Sequence, residues 1–307
     1  MQFLYMLEKI RVPWLNGLMQ AVTELGSETA FLAVALILFW CVSKREAYYL
    51  MSVGFIGTIG NQFLKIMCQV PRPWVRDPSF TIVESAREGA SGYSFPSGHS
   101  QTSVGTFGTI AMTTRKKWVR NLSIAVMIIV PFSRMYLGVH YPSDVLTGAG
   151  MALALLVVLK PICLREDGKH LPKLFLGMAV LSVAYLAFAE FYPFPADTDP
   201  ANLASAQKNA YTLFGTMLAM TIVYFVDEKK LHFSVEGPWQ AQVGKVAGGL
   251  MIVLLIKSGL KAPVEALCGG HMISRSIRYF LVVLVAGIVW PMTFPWFAKW
   301  GKEKEAK

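Results

Sequence analysis

Apolar stretches long enough to cross a bilayer recur along almost the whole chain, and this recurrence constrains the fold more than any single residue does. A membrane-crossing helix needs about 20 mostly apolar residues. Candidate spans fall at 28–43, 46–68, 99–114, 121–137, 143–163, 174–191, 211–226, 243–258 and 276–297. The first and third are short, so the count is nine, with eight as the other reading. Only 16% of the 307 residues are charged, where a soluble chain carries about 25%. The expected fold class is all-α: a polytopic transmembrane helical bundle.

The segment before the first span, "MQFLYMLEKIRVPWLNGLMQ", places its charges after apolar residues and offers no small-residue cleavage site, unlike a secretory signal. It reads as an amphipathic helix lying at the membrane interface, over residues 1–26. Residues 1–165 hold nearly every unusual polar residue, and 27–165 are expected to form a core of about five to six helices. Residues 166–307 read as additional C-terminal transmembrane helices with a basic tail.

The net charge of +10 does not point to nucleic acid. Its lysines and arginines sit in short clusters between spans, such as Lys44-Arg45, Arg115-Lys116-Lys117 and Lys229-Lys230, as juxtamembrane loops do under the positive-inside rule. The basic loops at 44–45, 115–120, 165–173 and 227–242, with the tail after Trp300, are expected on the cytoplasmic side. The loops at 69–98, 138–142, 192–210 and 259–275 then face outward, placing the polar clusters on the extracytoplasmic side of a cell membrane. Cys41, Cys68, Cys163 and Cys268 lack CxxC spacing, so neither a zinc site nor a disulfide framework is indicated. Gly244 and Gly248 have the small-residue spacing of close helix packing, within the chain or in a homo-oligomer.

Three polar clusters fall at span ends on one side of the membrane. "KIMCQVPRP" brings Lys65, Arg72 and Pro73 to the end of the second span. "SFPSGHSQTS" puts Pro96, Ser97, Gly98 and His99 at a helix start, where successive N–H groups attract anions. "SRMYLGVHYPSD" supplies Arg134, His140 and, in the first turn of the next helix, Asp144. Four residues after His140, Asp144 can reach back to the ring N–H, which fixes the tautomer and raises the basicity of the other nitrogen. Each cluster alone has an ordinary structural explanation: a snorkelling lysine, an N-cap, a carboxylate at a helix start. Together they would bring two histidines, three cations and one carboxylate to one place, and ionisable residues at spans are expensive. Such a pocket suits phosphoryl transfer through a histidine nucleophile, with fixed donors around the phosphate oxygens. The pattern calls for no metal and no cofactor, and no carboxylate-rich cage is present in the sequence.

These residues resemble the signature of the type 2 phosphatidic acid phosphatase (lipid phosphate phosphatase) superfamily, integral membrane branch: KxxxxxxRP at 65–73, PSGH at 96–99 and SRxxxxxHxxxD at 133–144. The resemblance covers roughly residues 30–165 and implies a metal-independent phosphatase on a helical bundle. It implies that His140 is the nucleophile, Asp144 orients it and His99 is the general acid. It further implies that Lys65, Arg72, Ser97, Gly98 and Arg134 hold the phosphate. The substrate it suggests is a lipid phosphate or diphosphate. A phosphotransferase with the same intermediate and a phosphatase of a soluble sugar phosphate such as glucose 6-phosphate remain alternatives. A non-catalytic transporter or scaffold built on residues 174–297 is the reading least favoured.

Overall fold

A computed structural model describes residues 1–299; the basic tail expected after Trp300 lies outside the described residues. Helices and connecting turns make up the described chain, with no strand among the described residues. The N-terminal helices are α1 (Gln2–Lys9), α2 (Pro13–Thr23), α3 (Glu28–Ile37), α4 (Lys44–Cys68) and the short α5 (Pro73–Arg76). Next come α6 (Gly98–Thr113), α7 (Lys117–Tyr136), α8 (Pro142–Cys163) and α9 (Leu171–Phe191). The remainder are α10 (Pro200–Val226), α11 (Trp239–Gly259), α12 (Lys261–Leu267), α13 (Ile273–Leu284) and α14 (Phe294–Phe297).

Six stretches are long and apolar enough to cross a membrane, seven if the bent pair Pro13–Gly26 and Glu28–Val42 counts as one span. Seven of the nine expected spans meet that test, and the stretches at 46–68 and 99–114 fall below it. Both are helices. In α4, Lys44, Arg45 and Glu46 open the helix and Asn61, Gln62 and Lys65 lie near its end, while α6 is only 16 residues long. Their polar groups turn inward: Ser52, Asn61 and Lys65 of α4, and Ser100, Gln101, Ser103, Thr106 and Thr109 of α6, are all buried. A hydropathy window cannot distinguish a polar residue facing the protein interior from one facing lipid, so length and mean apolarity misjudge such helices.

The chain forms two compact units. The first comprises residues 1–32, 49–161 and 193–206, and it holds all three polar clusters. The expected single interfacial helix over 1–26 is two helices and a turn, interrupted where Pro13 opens α2 at its first position. The pair is amphipathic. Leu4 packs with Phe80 and Tyr141, and Met19 packs with Ala86, Tyr136, Leu137 and Val139. Phe3, Met6, Ile10, Trp14 and Leu18 point outward. Leu4 is fully buried, a contribution of about 2 kcal/mol by its area removed from water. Polar ties fix the segment: Arg11 Nε donates to the Tyr136 carbonyl at 2.8 Å and the Tyr136 hydroxyl to Asn16 Oδ1 at 2.9 Å.

The second unit comprises 33–48, 162–192 and residues from 207 onward. Indole N–H groups knit its helices, Trp40 donating to the Ala286 carbonyl at 2.9 Å and Trp290 to the Lys245 carbonyl at 3.0 Å. Gly248 lies against the Trp290 ring, so at this residue the small-residue spacing of α11 serves packing within the chain. A partly buried ion pair, Lys44 Nζ to both Asp227 oxygens at 2.8 Å, ties the start of α4 to the turn after α10.

Candidate active site at the starts of α6 and α8

The third motif is shaped by the way α7 ends. Gly138 adopts φ of 84°, and the N–H groups of Gly138 and Val139 return to the carbonyls of Met135 and Arg134 at 3.0 and 3.1 Å. This is the Schellman arrangement, which favours glycine at the left-handed position. Five residues separate the end of α7 from Pro142, where α8 starts, so His140 sits in the turn and Asp144 in the first helical turn after it. His140 is 2% exposed and Asp144 fully buried.

Asp144 Oδ2 accepts from the Ser94 hydroxyl at 2.6 Å, from Tyr141 N at 2.9 Å and from His140 Nδ1 at 3.2 Å. Arg72 Nη1 lies 2.9 Å from His140 Nε2. A guanidinium has no lone pair to offer, so Nε2 accepts and Nδ1 carries the proton donated to Asp144. The partners thus assign the tautomer, with the Nε2 lone pair facing the cations.

The second motif starts α6. Ser97 is its N-cap, accepting from Ser100 N at 3.3 Å and from the Ser100 hydroxyl at 2.9 Å, which leaves its own O–H to donate elsewhere. Ser97 N donates to the Asp144 carbonyl at 2.9 Å, joining the starts of α6 and α8. Gly148, one turn into α8, permits this approach: a Cβ there would overlap the Ser97 carbonyl. Gly98 and His99 are half-buried behind the cap.

The first motif supplies cations held by backbone carbonyls. Lys65 Nζ donates to the Tyr93 carbonyl at 2.6 Å. Arg72 donates to the carbonyls of Gly92, Ser91 and Val139 at 3.0, 2.8 and 2.8 Å. Arg134, from the last turn of α7, donates to Thr23 Oγ1 at 2.9 Å and to the Gly89 carbonyl at 3.4 Å, and its Nε is buried with no partner among the described residues. Lys65, Arg72 and Arg134 are 9, 5 and 1% exposed, and none forms an ion pair among the described residues. Burial and the neighbouring Arg134 press Arg72 down to about 9, still charged at neutral pH. Burial first, then the charges of Arg72, Arg134, Lys65 and His99, hold the His140 imidazole well below its ordinary value, so it is neutral at pH 7.

The structure thus links Arg72, His140, Asp144 and Ser97 by direct contacts and holds Lys65, Gly98, His99 and Arg134 in the same unit. Two further side chains join them that no motif marks. Ser94 is fully buried on Asp144, and Thr23, 1% exposed, is the side-chain partner of Arg134. The loop at 69–98 has surface charges of its own: Arg87 pairs with Glu84 at 2.7 Å on the surface and lies over the Trp74 ring. The turn-rich segment at 193–203 is tied to the motif loops, Gln69 Nε2 donating to Thr198 Oγ1 at 2.9 Å and Asp199 N to the Tyr93 hydroxyl at 3.2 Å.

The sequence is also similar to known proteins. The sequence pattern of the PAP2 superfamily matches residues 45–165, and that of the PAP2 superfamily phosphatase transmembrane extension matches 211–302. Phosphatidylglycerophosphatase B of Bacillus subtilis is 30% identical over 164 residues, 49% of this chain and 76% of that protein. An undecaprenyl-diphosphatase of Sulfolobus acidocaldarius is 30% identical over 141 residues, 45% of this chain and 66% of that protein. A crystal structure of a transmembrane PAP2-type phosphatidylglycerolphosphate phosphatase from Bacillus subtilis aligns with a TM-score of 0.44 at 28% identity, over 52% of this chain and 82% of that one. Multi-pass, all-helical and carrying the three motifs in order, the chain belongs to the PAP2 superfamily of membrane phosphatases.

Proposed function

We propose that this protein hydrolyses a lipid phosphate or lipid diphosphate through a phosphohistidine formed on His140. One observation carries the reading: three buried cations have no carboxylate paired to them among the described residues, their charges act on His140, and one of them, Arg72, touches that imidazole, which a buried aspartate orients. Buried charges without partners are strongly unfavourable, and a phosphoryl group supplies the missing negative charge. The names of the relatives, a phosphatidylglycerophosphatase and an undecaprenyl-diphosphatase, support a lipid as its carrier.

In the first step His140 Nε2 attacks phosphorus and the P–O bond to the lipid oxygen breaks. The proton of His99 passes to that oxygen, which leaves as an alcohol or, from a diphosphate, as a monophosphate. Arg72 exchanges its contact with Nε2 for a phosphate oxygen as the nitrogen is used. Lys65, Arg134, the Ser97 hydroxyl and the Gly98 amide hold the remaining oxygens, where charge-assisted donors act most strongly. Asp144 stabilises the positive charge that develops on the ring. In the second step water gives a proton to His99 and attacks phosphorus, the P–N bond breaks, and inorganic phosphate leaves. These steps draw on no metal.

In a cell membrane, the basic loops at 44–45, 115–120, 165–173 and 227–242 put the opposite, site-bearing side outside the cytoplasm. The reading needs one chain and no subunit contact. Its test is phosphate release by purified protein in detergent with EDTA. The panel holds phosphatidate, phosphatidylglycerophosphate, a polyprenyl diphosphate, a sphingoid phosphate and glucose 6-phosphate, with His140→Ala as control. Release from a lipid substrate that disappears in His140→Ala supports the proposal. Release from glucose 6-phosphate alone, or release surviving in His140→Ala, refutes it.

A further inference from the structure

Asn61 is unexplained by the hydrogen bonding around it. It is 1% exposed, and neither its Oδ1 nor its Nδ2 has a partner among the described residues. Native proteins leave few buried polar atoms unsatisfied, because an amide taken out of water without a partner is destabilising. A leucine, close to asparagine in shape, would avoid that cost.

Its position is not arbitrary. Gly57, Asn61 and Lys65 succeed one another at four-residue steps on α4 and so share a face. That face runs along the start of α6. Gly57 lies against the Gln101 side chain, and Asn61 Oδ1 comes within 3.8 Å of where a Cβ on Gly98 would stand. Lys65 reaches the Tyr93 carbonyl just before the cap. The unpartnered carboxamide therefore sits beside Gly98, one helical turn from Lys65, where the N–H groups of the first turn of α6 attract an anion.

We infer that Asn61 is a further phosphate-binding residue, its Nδ2 donating to an oxygen of the phosphoryl group held at the start of α6. The inference rests on the phosphatase reading above and extends its set of donors to a side chain outside all three motifs. It explains why a polar group is kept where an apolar one would pack at lower cost: the amide acquires its partner from the substrate.

The test exploits opposite signs. Asn61→Leu removes an unsatisfied amide at nearly constant shape, so its melting temperature in detergent is expected to equal or exceed that of the unaltered protein. Turnover on a lipid phosphate is expected to fall at least tenfold, and the rise in melting temperature on adding orthovanadate to shrink. Turnover and orthovanadate response both within twofold of the unaltered protein would overturn the inference. Asn61→Ala removes the amide without adding bulk and carries the same readings if the leucine variant fails to fold. Failure of both variants to fold also overturns it, since a substrate contact is dispensable for folding. His140→Ala, run alongside, separates the two claims: an inactive His140→Ala with a fully active Asn61→Leu removes Asn61 alone, whereas an active His140→Ala removes the site reading and this inference with it.

Discussion

Asp144→Asn keeps the shape of the side chain and removes its charge, and its consequence follows from what the carboxylate holds. Oδ2 collects three donors, the Ser94 hydroxyl, Tyr141 N and His140 Nδ1, at 2.6, 2.9 and 3.2 Å. A carboxamide offers one oxygen and one NH2. With the oxygen in the Oδ2 position the ring keeps its tautomer, but the charge developing on it faces a neutral acceptor. A hydrogen bond to a charged group is worth about 1.5–3 kcal/mol, roughly 10- to 150-fold in rate. With the nitrogen there, the carboxamide donates to Nδ1, and Nε2 must carry a proton towards Arg72; a wrong tautomer costs on the order of 10⁴-fold. The account therefore expects kcat to fall by roughly 10²- to 10⁴-fold with KM changed by less than about threefold, because a fully buried Asp144 touches the ring and not the substrate. Steady-state phosphate release on a single purified lipid phosphate measures both, and a melting curve confirms that the variant is folded. A folded Asp144→Asn with kcat within about threefold of the unaltered protein would refute the reasoning.

Thr23→Val removes the hydroxyl that accepts from Arg134, so KM and the orthovanadate inhibition constant are expected to rise about tenfold and Thr23→Ser to restore both; equal KM in all three proteins would remove Thr23 from the account. Gly148→Ala drives a methyl into the Ser97 carbonyl and is expected to destabilise by about 1–3 kcal/mol and to lower turnover, whereas an unchanged melting temperature would mean that the starts of α6 and α8 can separate freely. Acid should weaken the fold at His140. Its folded-state affinity for a proton lies below the ordinary histidine range, so below about pH 6.5 the unfolded chain binds a proton that the folded chain does not, and stability falls as pH falls. Melting temperatures across pH 5–8 should therefore decline more steeply for the unaltered protein than for His140→Gln; parallel curves would contradict the assignment.

The polar clusters could be read from sequence because each is local. Asp144 follows His140 by one helical turn, and Pro142 marks where that turn starts, so their pairing needs nothing distant. The cap at Ser97 is equally local. What the sequence did not disclose depends on contacts across long separations. Thr23 meets Arg134 across 111 residues, and Ser94 meets Asp144 across 50. No spacing rule encodes such pairs. The two expected spans that fall below the length-and-apolarity limit have a related cause. Ser52 and Asn61 of α4 and Gln101 of α6 are buried inside the first unit, yet in a linear reading they only lower the apolarity of a stretch. Asn61 escaped notice because an amide in an apolar helix looks unremarkable until its missing partners are seen.

The central claim is that His140 carries the phosphoryl group. Rapid quenching of the purified protein with a radiolabelled lipid phosphate tests it directly, because a phosphorylated imidazole survives alkali and is lost in acid. Alkali-stable, acid-labile label is expected on a peptide containing His140 at times shorter than one turnover, and is expected to be absent from His140→Ala. Phosphate released at full rate with no label on the protein, or label persisting in His140→Ala, would contradict it.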